Sequence, residues 1–446
     1  MAKDYLAEFD AAAAEDKYPL VKQWMASEPL GFFAQLREQR PILVTPECTL
    51  VALFTDVRDA LAMPNIFTSD LYKPKMGVTE TDVGYLMAHN DDALHTREKS
   101  LMQGFLNRED LPRVRKLVAE TARQTLEQAD GRIELVNQFS RIVPTVLVQE
   151  YFGLDGAAPA DLIRWSYWNQ ADAFYNQPFD KVPEEESQRI IAEHDKVSEE
   201  LVAYIAKLMA RKLLYVKAEQ TKNILLRGWY ALQATLRHLR GEPKAKRQDD
   251  IVTRMLRSRF ANEVDFSLIR VGVNAGGLLI GAVETTSQAV TQVVDFFLQR
   301  PALLQQARAA AAQTDTTEFD GYVWEALRFV PISPFSFRKL SQDYTLAKGT
   351  PHQTIIAKDT NVLLVTQSAM FDPYCYERAN EFQPGRNFYH HFNFGYGPHE
   401  CLGKYVGKEM IPEMVRQVLL LDNLRAISVM DYKGTHFPEH YALEWQ

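Results

Sequence analysis

Residues 392–404 read FNFGYGPHECLGK, and three glycines and a proline surround Cys401 in a chain that has only three cysteines. A thiolate is a soft, strongly donating ligand, and keeping it ionised away from water requires compensating donors. Gly395, Gly397 and Gly403 let backbone N–H groups come close to the sulfur, because no Cβ stands in the way. The next stretch, LGKYVGKEMIPEMVRQVLL, is apolar at helical spacing and predicts a helix with Cys401 at its N-terminus. That end carries about half a positive charge and favours an anion. A single cysteine with one open side suits an axial ligand of haem iron better than a four-ligand zinc site.

The run Phe394-Gly395-Tyr396-Gly397-Pro398-His399-Glu400-Cys401-Leu402-Gly403 resembles the haem-binding signature of the cytochrome P450 family, haem-thiolate monooxygenases, in its soluble bacterial form. All six strongly constrained positions of that signature match. The resemblance implies haem b (iron protoporphyrin IX) with Cys401 as the proximal iron ligand, Phe394, Gly395 and Gly403 shaping the loop, and His399 reaching a haem propionate. His95 in DDALHTREKS and Arg338 in PISPFSFRKL resemble further propionate ligands. Lys99 stands where the family often has arginine, and it can pair with a propionate as a point charge without the bidentate fork.

Other segments must hold this loop in place. WEALRFV puts Glu325 and Arg328 three apart on one helix face, where they can pair. FQPGR, 382–386, resembles the family's meander, so Arg386 would complete a buried Glu325–Arg328–Arg386 cluster that positions the cysteine loop. GLLIGAVETTSQAV, 277–290, falls in the longest apolar helix, and Glu284-Thr285 resembles the acid–alcohol pair of the family's distal helix. Splitting dioxygen needs two protons; a hydroxyl in a helix groove can hold a water while the carboxylate relays them. Ala282 stands where the family's kink glycine is usual, and Pro412 predicts a kink in the helix after Cys401.

Most of the remaining sequence is apolar at helical spacing, as in 108–129 and 183–214, while β-branched runs broken by Gly, Pro and Asp are confined to 41–54 and 344–365. The expected fold is mainly α with small β-sheets (α+β), the haem lying between a long distal helix and the cysteine loop. With 446 residues, 46% of them hydrophobic, the chain can bury a large core, and the order of motifs predicts one catalytic domain over 1–446. A basic helical insertion at about 214–247 departs from the family's length; 207–247 holds eleven Lys or Arg against two Glu. Such a run is a solvated helix face or a peripheral contact for acidic lipid.

A net charge of −8 argues against a nucleic-acid binder. The N-terminus has no apolar segment of signal length, no run reaches the length of a transmembrane span, and three scattered cysteines make no disulfide framework. A mature chain beginning near Met1 and a cytoplasmic location are expected. The function implied by the resemblance is insertion of one oxygen atom from O2 into an apolar or amphipathic small molecule. No flavin or nicotinamide fingerprint and no iron–sulfur cysteine set is present, so an external ferredoxin or flavodoxin with its reductase must supply electrons, docking near Lys404 and Lys408. Tyr72, Lys73, Trp165, Trp168, Phe174, Ala282, Ile332 and Phe335 are candidate pocket residues. Together with Lys75 and the basic insertion they point to fatty acid hydroxylation. Two alternatives use the same haem site: a peroxygenase or lipid-hydroperoxide isomerase, and a non-catalytic haem sensor.

Overall fold

A computed structural model describes residues 3–78, 84–220, 228, 232, 249–258 and 266–446. The basic insertion expected at about 214–247 lies mostly outside these residues. The helices that matter for the site are α1 Ala93–Phe105, α2 Leu111–Gln128, α3 Ile142–Leu147, α4 Pro159–Tyr175, α5 Glu184–Gln220, α6 Leu268–Leu298, α7 Thr317–Phe329 and α8 Lys404–Leu419.

Helix α6 is the axis of the molecule. Ser267 caps it, its side chain accepting from the Arg270 N–H, and the helix then runs unbroken past Gly281 and Ala282. It buries Val271, Leu279, Val283, Val290, Val294 and Phe297 along its length and packs against α3, α4, α5, α7 and α8. Among the described residues it is the one helix long and apolar enough to cross a membrane by length and composition; here those apolar faces pack on other helices. At its N-terminal end Arg270 forms a buried pair with Glu98 of α1 at 2.6 Å, and Asn274 adds a bond to the same carboxylate at 2.9 Å. This tie fixes the helix that carries His95 and Lys99. Helix α8 also continues through Pro412 without a break.

The strands form small sheets at one side. Strands β1 Ile42–Val44, β2 Thr49–Val51, β3 Phe67–Thr68, β4 Ser336–Leu340 and β5 Asn361–Leu364 make one sheet in the order β1-β2-β5-β4-β3. β2 and β5 pair in parallel, Thr49 opposite Val362, while β4 runs antiparallel to β5 with Arg338 opposite Val362. This register helps place Arg338 in the interior. A three-stranded sheet of Arg132–Glu134, Ala442–Glu444 and Arg425–Ala426 brings the C-terminal loop up to α3 and α4. No pattern in the sequence marks that sheet, because its strands are only two or three residues long.

Candidate active site

The cysteine loop is built from positive-φ glycines and buried aromatics. Gly395 and Gly397 sit at φ +70° and +71°, a region that excludes most side chains, and a Cβ on Gly397 would lie 2.9 Å from the Leu61 carbonyl. Phe394 packs on Trp324 with ring centroids 5.5 Å apart, and its carbonyl accepts the Cys401 N–H at 2.8 Å. Gly403 caps α8, two residues past Cys401. The Cys401 side chain is exposed, unlike the buried Cys48. Desolvation by the surrounding protein nevertheless pushes the Cys401 thiol up, opposed by the Gly403 N–H and by the charges of Lys99 and Lys404.

Beneath this loop Glu325, Arg328 and Arg386 come together. Arg328 donates to both oxygens of Glu325 at 2.7 and 3.0 Å, and Arg386 adds a third bond at 3.1 Å. The spare donors of Arg328 and Arg386 go to backbone carbonyls of Met370, Glu377, Arg378 and Glu381. The cluster therefore pins the 370–386 segment that leads into the cysteine loop.

A second group of basic side chains gathers near Cys401, in which Asp91 lies 3.8 Å from His95 Nδ1, beyond hydrogen-bond distance. Arg338 is 7% exposed, donates to the Phe337 carbonyl at 2.7 Å, and has no carboxylate partner among the described residues. His95 and His399 stack with ring centroids 4.5 Å apart. Both nitrogens of His95 are buried with no hydrogen-bond partner. Burial, then the charges of Arg338, His95 and Lys99, push His399 down to about 2. A buried guanidinium without a carboxylate and a buried imidazole without a hydrogen-bond partner are both satisfied when an anion that accepts hydrogen bonds joins them. The two propionates of a haem are that kind of anion, so the residues fit the group. Lys99 departs from its expected propionate role: its ammonium donates to the Pro398 carbonyl and, at 2.7 Å, to the Glu400 carbonyl. It ties the cysteine loop to α1.

On α6 the acid and the alcohol point different ways. Gly281 is exposed with nothing within 4 Å of where a Cβ would stand, and Ala282 and Thr285 are half-buried on this open side. Thr285 donates its hydroxyl to the Gly281 carbonyl at 2.7 Å. Glu284 is fully buried and turned toward Arg141, whose Nε lies 3.0 Å from both its oxygens. Burial pushes Glu284 up to about 7, although Arg141 opposes the shift.

Several expected pocket residues are engaged elsewhere. Trp165 donates to Glu200 at 2.9 Å and packs on Tyr204 of α5. Trp168 lines a separate cavity of about 200 Å³ with Tyr167, Ile190 and Phe437. The reason is that the polar face of α4 is the one turned to α6, where Ser166 and Gln170 both donate to the Ile280 carbonyl. Tyr72 stacks on Phe337 at 4.3 Å and meets Phe174 edge-on, Phe335 packs on Phe179, and Ile332 is half-buried against the core. Lys73 is held by Asp70 at 2.6 Å and Lys75 by Asp172 at 2.7 Å. Near the cysteine loop Lys404 pairs with Glu400 at 2.6 Å, and Lys408 lies over Phe388. Arg141 and Glu439, which join Glu284 in the fold, are marked by no motif in the sequence.

The sequence matches the family description "Cytochrome P450" over residues 57–421. The chain belongs to the cytochrome P450 family. A cytochrome P450 is an oxidoreductase of the monooxygenase type, which sets aside the non-catalytic sensor reading, and membership implies a haem-iron cofactor, O2 and redox partners. Among relatives, "Putative cytochrome P450 YjiB" of Bacillus subtilis (strain 168) is 23% identical over 85% of this chain and 83% of its own length. "Cytochrome P450 monooxygenase PikC" of Streptomyces venezuelae is 24% identical over 85% and 80%. The crystal structure of CalO2 superposes with a TM-score of 0.71 at 19% identity, covering 95% of this P450 and 97% of CalO2; that likeness speaks to the fold.

Proposed function

We propose that this P450 is a single catalytic domain that binds haem b through the Cys401 thiolate and oxygenates an apolar or amphipathic small molecule. The observation that carries the reading is a buried Arg338 with no carboxylate partner among the described residues and a buried His95 with both ring nitrogens unsatisfied, stacked on the half-buried His399, beside the exposed thiol of Cys401. Arg338, His95 and His399 would take the propionates. Phe394, Gly395 and Gly403 would hold the sulfur in place, and Lys99 would fix the loop by its carbonyls. The bound haem supplies iron at which O2 is activated, with the thiolate pushing electron density toward it.

The chain's own contribution is positioning and protons. Thr285 lies on the open side of α6, where its hydroxyl can hold a water. Glu284, once turned from Arg141, can pass a proton to that water. Electrons would come from a ferredoxin or flavodoxin with its reductase, docking on the cysteine-loop face. For the substrate, a fatty acid remains compatible with the half-buried Tyr72, Phe174 and Phe335. Its carboxylate would have to displace Asp70 from Lys73 or Asp172 from Lys75.

Reduced protein under carbon monoxide tests the haem assignment: a thiolate-type Soret band is expected, and Cys401→Ala should lose it. Titrating ferric protein with long-chain fatty acids against hydrocarbons of equal length tests the substrate class. A spin-state shift with acids alone supports the fatty-acid reading; a shift with hydrocarbons alone removes it.

A further inference from the structure

Arg141 is shared by two carboxylates, and each of its three nitrogens donates a hydrogen bond. Nε donates to both oxygens of Glu284 at 3.0 Å, and Nη2 donates to Glu439 at 3.2 Å while lying 3.0 Å from Glu284. Nη1 is divided between Glu439 at 3.0 Å and Asn137 at 2.6 Å. Glu439 sits in the C-terminal loop, where Thr435 donates to its carboxylate at 3.4 Å. Glu284 is 0% exposed, Arg141 4% at the side chain and Glu439 17%.

We propose that Glu439 is a positioning residue: by holding half of the Arg141 guanidinium it keeps Glu284 from being locked in an ion pair, so that Glu284 can exchange a proton and turn toward Thr285. The inference rests on the reading of Glu284 as proton carrier.

The charge count supports it. Two ionised carboxylates against one guanidinium leave a buried cluster with one excess negative charge, which a low-dielectric interior resolves by protonating one of them. Glu284, the member farther from water, is the one that takes the proton. Its acidity responds first to burial, then to Arg141, and Glu439 adds to the upward push. Tyr167 and Tyr175 of α4 face this cluster, His436 stacks on Tyr175 at 4.8 Å, and His440, next to Glu439, lies 3.7 Å from Glu134. The Tyr167 ring lies 5.4 Å from the Arg141 guanidinium carbon, and Tyr175 meets Gln288. Burial pushes both phenols up to about 12, so neither ionises near neutrality. With Glu439 neutralised, Arg141 would belong to Glu284 alone, and Glu284 would stay ionised and held.

The test is an infrared titration of the ferric resting enzyme, following the carboxylic C=O band that Glu284→Gln abolishes. In Glu439→Gln the midpoint of that band should fall by about one pH unit. Glu439→Asp, which keeps the charge and is the variant to rely on should the amide disturb the fold, should shift it by less than half as much. An unmoved midpoint in Glu439→Gln, or an equal shift in the two variants, overturns the proposal. Coupling of O2 consumption to product is measured alongside. If the midpoint falls while coupling stays at the wild-type level, Glu439 does control Glu284, and the proton-carrier reading is what fails.

Discussion

Arg338 shows what a single residue costs and does. Its guanidinium is buried, has no carboxylate partner among the described residues and sits near His399, which stacks on His95. A buried cation of this kind opposes folding unless an anion joins it, and replacing it by an apolar side chain of similar volume is often neutral or stabilising. Arg338→Met should therefore release haem to apomyoglobin about tenfold faster, the loss of about 1.4 kcal/mol of binding. The guanidinium midpoint of its haem-free chain should be no lower than that of wild type. A lower haem-free midpoint would mean that Arg338 serves packing instead. This residue could be named from sequence because it follows the Glu-x-x-Arg helix at a recognisable distance. Arg141 could not: it lies in NQFSRIVPTV, and only the folded chain brings it to Glu284 and Glu439.

At the scale of elements, order along the chain was informative and facing was not. The Glu-x-x-Arg helix, the FQPGR segment and the glycine-rich loop follow one another along the chain, and the fold joins the first two through Glu325. Removing the carboxylate should leave the Arg328 guanidinium, fully buried, without its charge partner. Glu325→Gln is expected to lose about 3–5 kcal/mol of stability, measured by denaturant unfolding, whereas Arg378→Ala, on the exposed rim of the same segment, should lose less than about 1 kcal/mol. Equal effects would show that the segment does not depend on the buried cluster. Trp165 and Trp168 illustrate the limit. An apolar stripe at helical spacing looks the same whether it meets a ligand or another helix, and on α4 the hydrogen bonds of Ser166 and Gln170 to the Ile280 carbonyl decide which face turns to α6. The glutamate–threonine pair has the same ambiguity: adjacent residues on a helix point about 100° apart, so Thr285 can face the open side only while Glu284 faces α3.

Across the whole molecule, the burial of ionisable groups links the haem side of the fold to its response to pH. His391 lies between the Glu325 cluster and the cysteine loop, stacked on Phe388 at 5.1 Å and 8% exposed. Burial first, and then the charges of Arg328 and Arg386, push it down to about 3. The unfolded chain protonates this histidine near pH 6.5, whereas the folded chain holds it neutral. The stability it contributes is therefore fully present above pH 6.5 and is lost as pH falls from there toward 3, at about 1.4 kcal/mol per pH unit. Buried carboxylates act in the opposite direction: Glu284, at about 7, and Asp180, at about 6, hold protons in the fold that the unfolded chain releases. They stabilise the fold as pH falls toward their ordinary values, and so they mask the histidine in the wild-type curve. The difference between two proteins removes the mask. His391→Gln loses the ring stack at every pH, but the gap between it and wild type in urea unfolding should narrow by about 1.4 kcal/mol between pH 6 and pH 5. A gap independent of pH over that interval would mean that His391 is protonated in the folded state, with the Arg328 and Arg386 charges relieved in some other way.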